Sequence, residues 1–403
     1  MCKVSIVDSI CGSGKTSAII DIMNNDKTDT KYIYITPFLS EVKRIREDVN
    51  TKKFYEPKFN SLGNKFVNLN RLISENKNIV STHALFQKAN LSTVDLIKSG
   101  DYTLVLDEAF NVVERMDMTT EDLHILYSQN LAYVKDGFLL WNEEFFNYKG
   151  IFENIKYLCI NRSLMVYKDI VLLWTFPVEV FKAFSKVYIL TYMFDAQEQY
   201  YYYKMHDIEM KYYYAAIENG KCVFKLKDEN YSEKEIKVKL KSLIHIIDDS
   251  KLNAIGDNFY SLSHSWYNDD DNVASIEKLK KNMQNFIINK TKSKAKNIIW
   301  TTFKSSRKYL SAKGYTKSFL SCNIRATNEY KTRHNIMYCI NVFINPIIEK
   351  FFADKDVSIN KNRYALSELI QFMFRSAIRD NEEINLYIPS SRMRKLLEIW
   401  LNN

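Results

Sequence analysis

Ser9-Ile10-Cys11-Gly12-Ser13-Gly14-Lys15-Thr16-Ser17 is the stretch on which the reading of the fold turns. It follows a short apolar run, Val4–Asp8, and precedes Ser17–Met23, whose apolar positions recur at helical spacing. Two of the chain's nine glycines flank Ser13. A strand, a glycine turn and a helix in that order are the setting of a phosphate-cradling loop. Glycines let consecutive backbone N–H groups turn inward, and the helix N-terminus adds its partial positive charge. On this reading Gly12, Ser13, Gly14, Lys15, Thr16 and Ser17 hold the phosphates of ATP. Lys15 reaches the β and γ phosphates, and the Thr16 hydroxyl ligates Mg²⁺. Ser9 stands where the G-x-x-x-x-G-K-[ST] pattern has its first glycine. The competing reading is a plain glycine turn followed by a lysine.

Working outward, Tyr102-Thr103-Leu104-Val105-Leu106-Asp107-Glu108 is an apolar strand that ends in two acids. An acid at the end of a buried strand needs a cation, because an unpaired buried charge is costly. Beside a phosphate loop that cation is Mg²⁺, with Asp107 as its ligand and Glu108 as the base that prepares the attacking water. Alone, an Asp-Glu pair would read as a solvated loop end.

Further β-rich runs at Lys31–Thr36, Ile79–Ser81, Leu104–Asp107 and Val187–Thr191 alternate with helical patterns such as Leu39–Val49. That alternation predicts a mostly parallel α/β sheet. The segment 112–180, rich in aromatics and acids, is expected to be a mainly helical accessory insertion. After residue 200 the pattern resets: Tyr200–Tyr203 and Tyr212–Tyr214 read as β-like, and Asn268–Asn272 as an exposed acidic loop. A second series, Asn297–Thr302, Ser318–Ser321, Ile336–Phe343 and Ile384–Ile388, supplies more strands. The expected organisation is a first α/β lobe over 1–200, a connecting segment over 201–290 and a second α/β lobe over 291–403.

Composition narrows the class. The 403 residues carry 57 basic and 48 acidic side chains, a net charge of +9 that suits a polyanion without requiring one. No apolar run approaches the length of a membrane span, the longest lying around Ile170–Phe176. Met1–Val7 reads as the start of a core strand and not as a signal peptide, which leads to the expectation of a cytoplasmic protein with no membrane partner. Six scattered cysteines, none in a C-x-x-C pair, argue for reduced thiols and against a zinc site.

Asp107-Glu108-Ala109-Phe110 resembles the D-E-A-x box of superfamily-2 helicases, and other segments follow that family's order. Tyr34-Ile35-Thr36-Pro37 resembles motif Ia, and Ser81-Thr82-His83 a strand-gripping motif. Ile189–Tyr192 resembles motif III, Ile299–Lys304 motif IV, Cys322–Asn328 motif V, and Gln371–Arg379 motif VI. The nearest group is the helicase-like P-loop ATPases of bacteriophages and mobile elements. The resemblance implies two RecA-like lobes and a helicase or translocase driven by ATP and Mg²⁺, acting on DNA in phage or mobile-element replication or recombination, in the host cytoplasm. It implies a nucleic-acid partner, single-stranded DNA or a DNA junction ahead of RNA, and a replication or recombination loader protein. Thr36, Thr82, His83, Lys304 and Arg325 would contact the nucleic acid. Gln371, Arg375 and Arg379, spaced four apart and so expected on one helix face, would complete catalysis, with Arg379 as the arginine finger.

The sequence departs from the family in several places: motif III has its second Ser/Thr shifted or missing, and the motif VI arginines, usually three apart in the family, are four apart here. No adenine-reading motif precedes the phosphate loop, and motif V lacks its glycine. Two other classes compete with the motor. One is a packaging-type P-loop ATPase with a nuclease lobe, for which Asp269–Asp271 is a poor acid cluster. The other is a small-molecule kinase or nucleotide-dependent switch, which would have no need of Glu108 or of paired arginines in a second lobe.

Overall fold

In the computed structural model, which describes residues 3–59, 64–322 and 329–403, the apolar runs of the first half become the strands of one sheet. These are β1 (Lys3–Asp8), β2 (Lys31–Thr36), β3 (Phe54–Tyr55), β4 (Asn78–Thr82) and β5 (Tyr102–Asp107). Tyr34, Val105 and Val7 are fully buried, as strands covered on both faces require.

The 112–180 segment is not mainly helical. It forms a five-stranded antiparallel sheet in the order β6-β10-β9-β8-β7, from β6 (Val113–Arg115), β7 (Ala132–Lys135), β8 (Phe138–Trp141), β9 (Leu164–Tyr167) and β10 (Val171–Thr175). Helices Thr120–Ser128 and Glu153–Ile160 cover it. Strands of three to five residues carry too few positions to show a clear period of two, so this segment has no strand signature in the sequence. Leu126, Leu139, Trp141, Cys159 and Leu164 form this layer's own core.

The chain then returns to the first sheet as β11 (Lys186–Thr191), β12 (Met210–Glu218) and β13 (Lys221–Leu226). The sheet order is β13-β12-β1-β11-β5-β2-β4-β3. β11 lies between β1 and β5, parallel to both, so the phosphate-loop strand and the acid-bearing strand are separated by one strand. Between β11 and β12, Glu198–Met205 is a helix and not the β-like stretch expected at Tyr200–Tyr203, whereas Tyr212–Tyr214 do lie in β12. Tyr201, Tyr202 and Tyr203 are all buried there.

Two compact units divide the chain: Met1–Ser9, Ser13–Leu226 and Asn345–Ile359 in one, and Ile10–Gly12, Lys227–Ile344 and Asn360–Asn403 in the other. The first unit thus takes in a helix from late in the sequence, Pro346–Ala353. There Phe351 packs edge-on to Tyr167 of β9, whose hydroxyl donates to Asp354 at 2.7 Å.

The second unit has a four-stranded, all-parallel sheet in the order β14-β17-β16-β15. Its strands are β14 (Ile244–Ile246), β15 (Ile298–Thr301), β16 (Asn335–Tyr338) and β17 (Ile384–Tyr387). The run Ser318–Ser321, expected as a strand, is a 3₁₀ turn followed by a single bridge from Phe319 to Trp300. The molecule as described is mixed α/β with parallel sheets and many helices. No helix among the described residues is long and apolar enough to cross a membrane.

Candidate nucleotide site

Helix Lys15–Asn25 starts directly after Gly14, which sits in the left-handed region at φ 86°, as does Gly12 at φ 85°. Both positions favour glycine because a side chain strains that backbone. A Cβ on Gly14 would lie 2.6 Å from Cys222 Sγ on β13, so that side chain would have to shift as well. The loop is tied down at its base: Ser9 N–H donates to Thr191 O at 3.0 Å, and Ser9 Oγ accepts from Ala215 N–H at 2.8 Å. Asp8 Oδ1 accepts from Met193 N–H at 2.8 Å. Lys15 is buried and donates to the Ser9 carbonyl at 2.5 Å, across the loop it closes. Ser13 Oγ is buried and makes no hydrogen bond, a polar atom left over inside the cradle. Thr16 is half-buried and Ser17 exposed on the first turn of the helix.

Asp107 ends β5 in full burial. Burial first, and then the neighbouring Glu108 and Glu41 charges, push its carboxyl up to about 7, while Lys15 pulls the other way. Thr36 of β2 donates to Asp107 Oδ2 at 3.4 Å, and Tyr34 on the same face lies close enough to feel its charge. A carboxyl raised this far by its surroundings is a site that gains from a cation. Together with the Thr16 hydroxyl on the loop helix, the donor set of hard oxygens fits Mg²⁺.

Glu108 follows in a left-handed conformation, φ 70°, uncommon for a residue with a side chain and frequent at functional sites. Its N–H donates to Leu190 O at 2.9 Å. Its Oε2 accepts from Thr191 Oγ1 at 2.8 Å, and Gln197 Nε2 in turn donates to Thr191 Oγ1 at 3.0 Å and Tyr192 O at 2.9 Å. The strand β11, inserted between β1 and β5, therefore carries the hydroxyl that orients Glu108. Thr191 belongs to the segment resembling motif III, but nothing in the sequence pairs it with Glu108 or adds Gln197 to the chain of bonds.

The expected nucleic-acid contacts fare differently. Thr36 is fully buried with its hydroxyl turned to Asp107, so it belongs to this acidic group and not to an exposed gripping surface. His83 is half-buried with Nε2 3.0 Å from the Asp107 carbonyl oxygen, a bond that braces the end of β5. Thr82 is half-buried where β4 meets the short helix His83–Phe86. Lys304 is exposed beyond β15, and Arg325 lies outside the described residues, as does most of Cys322–Asn328.

Gln371, Arg375 and Arg379 do not share a helix face. Helix Lys361–Met373 ends before Arg375, Ser376 is extended, and Arg379 sits in the 3₁₀ turn Ala377–Asp380. Only Gln371, half-buried, remains on the helix. Arg375 is buried, with Nη1 donating to Ser321 O at 3.3 Å and Cys322 O at 3.0 Å. Its Nε is buried without a hydrogen-bond partner, while Arg379 is half-exposed.

A prophage protein shares this arrangement of sequence along its whole length. The chain is 43% identical over 410 residues to the SPbeta prophage-derived protein YonV of Bacillus subtilis (strain 168), covering 100% of this chain and 99% of that one. The chain belongs to the YonV family. Residues 238–401 match the family's C-terminal Rossmann-like domain and residues 113–174 its middle domain, the latter coinciding with the antiparallel sheet β6–β10. Among solved structures the fold is similar, at 11% identity and a TM-score of 0.43, to S. tokodaii Xpd4, with 99% of this chain and 94% of that one covered. At 11% identity and a TM-score of 0.37 it is similar to the DUF1998 helicase MrfA bound to DNA and AMPPNP, of which it spans 48%.

Proposed function

We propose that the chain is an ATP-dependent nucleic-acid helicase or translocase, hydrolysing ATP at the Gly12–Ser17 loop with Asp107 and Glu108. The observation that carries the reading is the bond from Thr191 Oγ1 to Glu108 Oε2 beside the phosphate loop. A hydroxyl bonded to the carboxylate holds its side chain in one orientation, as a base that must meet an attacking water requires.

Gly12, Ser13 and Gly14 bind the phosphates through backbone N–H groups and the free Ser13 hydroxyl. Lys15 moves from the Ser9 carbonyl to the β and γ phosphates. Thr16 and Asp107 would hold Mg²⁺, which would supply charge neutralisation at the phosphate oxygens. Glu108, fixed by Thr191 and Gln197, accepts the water's proton. Arg379 is the candidate arginine finger, because it is half-exposed whereas Arg375 is buried with Nη1 on the Ser321 and Cys322 carbonyls. The prophage origin of the YonV relative supports work on DNA in a mobile element.

ATP hydrolysis measured with and without single-stranded DNA, duplex DNA and RNA, beside Lys15→Ala, tests the proposal. Stimulation by one polymer that vanishes in Lys15→Ala is the expected result. Hydrolysis indifferent to every polymer would sink the motor, and absent hydrolysis would favour a switch.

A further inference from the structure

Past the carboxyl ends of β14, β16 and β17, three aromatic rings stand together on the second unit. Phe259 and Tyr260 are 5.0 Å apart between centroids, and Phe343 lies 5.7 Å from the first and 5.6 Å from the second. Phe259 is 55% exposed and Tyr260 67% exposed. The two adjacent rings make a contiguous exposed aromatic patch, the kind of surface on which partners dock.

The backbone holds them there. Buried Asn341, three residues past β16, donates from Nδ2 to Phe259 O at 2.8 Å and Ser261 O at 3.0 Å, and its N–H donates to Leu262 O at 2.9 Å. Leu262 is buried at φ 62°, a conformation that a bulky side chain rarely takes. Gly256 starts the loop so close to Pro389 that a Cβ would meet its carbonyl oxygen. The loop is therefore fixed to the sheet while its two rings face outward.

Behind the rings lies a cation. The Arg392 guanidinium is 4.5 Å from the Phe343 centroid and 5.6 Å from that of Phe259. It donates to Asn341 Oδ1 and Val342 O at 2.9 Å each, to Asn362 Oδ1 at 3.2 Å and to Lys361 O at 3.3 Å. Every one of these acceptors is neutral, and no salt bridge to Arg392 occurs among the described residues. A half-buried guanidinium without a counter-charge is complementary to an anion.

We propose that Phe259 and Tyr260, with Phe343 and Arg392 behind them, form a stacking surface for single-stranded nucleic acid, with bases on the two exposed rings and phosphates attracted by the positive potential of Arg392 and not by hydrogen bonds from its Nη atoms, which are already taken. Aromatic faces bind any base whose own face is free, which a single strand offers and a duplex does not. The site deepens the proposed function and rests on it only for its use in a motor, since stacking needs no ATP.

Fluorescence anisotropy of the full chain without nucleotide, using labelled oligothymidylate, oligouridylate and duplex DNA of equal length, is the test. Phe259→Ala combined with Tyr260→Ala is expected to weaken single-strand binding about 10-fold or more while the melting temperature holds. Tyr260→Trp should retain binding, and the better of the two oligonucleotides names the sugar. Wild-type affinity in a normally melting double variant would overturn the proposal, as would self-association through these rings with no strand bound. If wild type hydrolyses no ATP yet the double variant still loses strand binding, the motor reading fails and the surface stands.

Discussion

At the carboxyl ends of β5 and β11, Asp107, Glu108 and Thr191 are drawn into a network of buried and part-buried hydrogen bonds. At the carboxyl ends of β16 and β17, Asn341 and Arg392 do the opposite, holding Phe259 and Tyr260 out into water. Both are the ends of parallel strands, where open α/β sheets place their ligands. The shared topology supplies the location and the side chains supply the chemistry. Acids beside a glycine loop suit a metal and phosphates, while rings over an uncompensated guanidinium suit a flexible polyanion with bare bases.

The sharpest break in that comparison comes from the second unit's two arginines. Arg375→Ala removes a buried guanidinium that satisfies Ser321 and Cys322, and should cost about 2–4 kcal/mol in denaturant unfolding. Arg379→Ala should leave unfolding unchanged and lower hydrolysis instead. Equal stability losses in both would mean that neither is free for catalysis.

A smaller effect sharpens the first unit's half. Thr191→Val deletes the hydroxyl that orients Glu108 and should lower kcat about 10-fold at an unchanged KM, with Thr191→Ser recovering most of it. A change in KM alone would make Thr191 a binding residue.

The smallest concerns a carboxyl whose fate is opposite to that of Asp107. Burial works against the ionised form of Asp26, but hydrogen bonds from Thr28, Tyr32 and Lys52 hold it down to about 2. A depressed folded value stabilises the protein above the unfolded value near 4, and that contribution is lost as pH falls from about 4 to about 2. Acid unfolding of Asp26→Asn should therefore lack this part of the wild-type pH dependence. Parallel curves would show the bonds to be without energetic weight.

The strand, glycine turn and helix of the candidate phosphate loop were legible because they are local, all falling within one stretch, Val4–Met23. The acids at Asp107 and Glu108 were legible for the same reason. Thr191 and Gln197 were not, because β11 reaches Glu108 only after the chain has built a whole antiparallel sheet between them. That sheet was itself missed because strands as short as Val113–Arg115 leave no periodic signature. The four-residue spacing of Gln371, Arg375 and Arg379 misled in the other direction, since a helix period persists in sequence past Met373 while the backbone turns away. The ring cluster draws on Phe259, Phe343 and Arg392, positions that only the parallel sheet brings together.

Hydrolysis and nucleotide binding measured side by side for Glu108→Gln test the central claim most directly. The substitution keeps the side chain's shape and its bond from Thr191 but removes the base. ATP should bind as in wild type while turnover falls about 100-fold or more. Wild-type turnover in that variant would contradict the account, because Glu108 would then be only a strand-end acid.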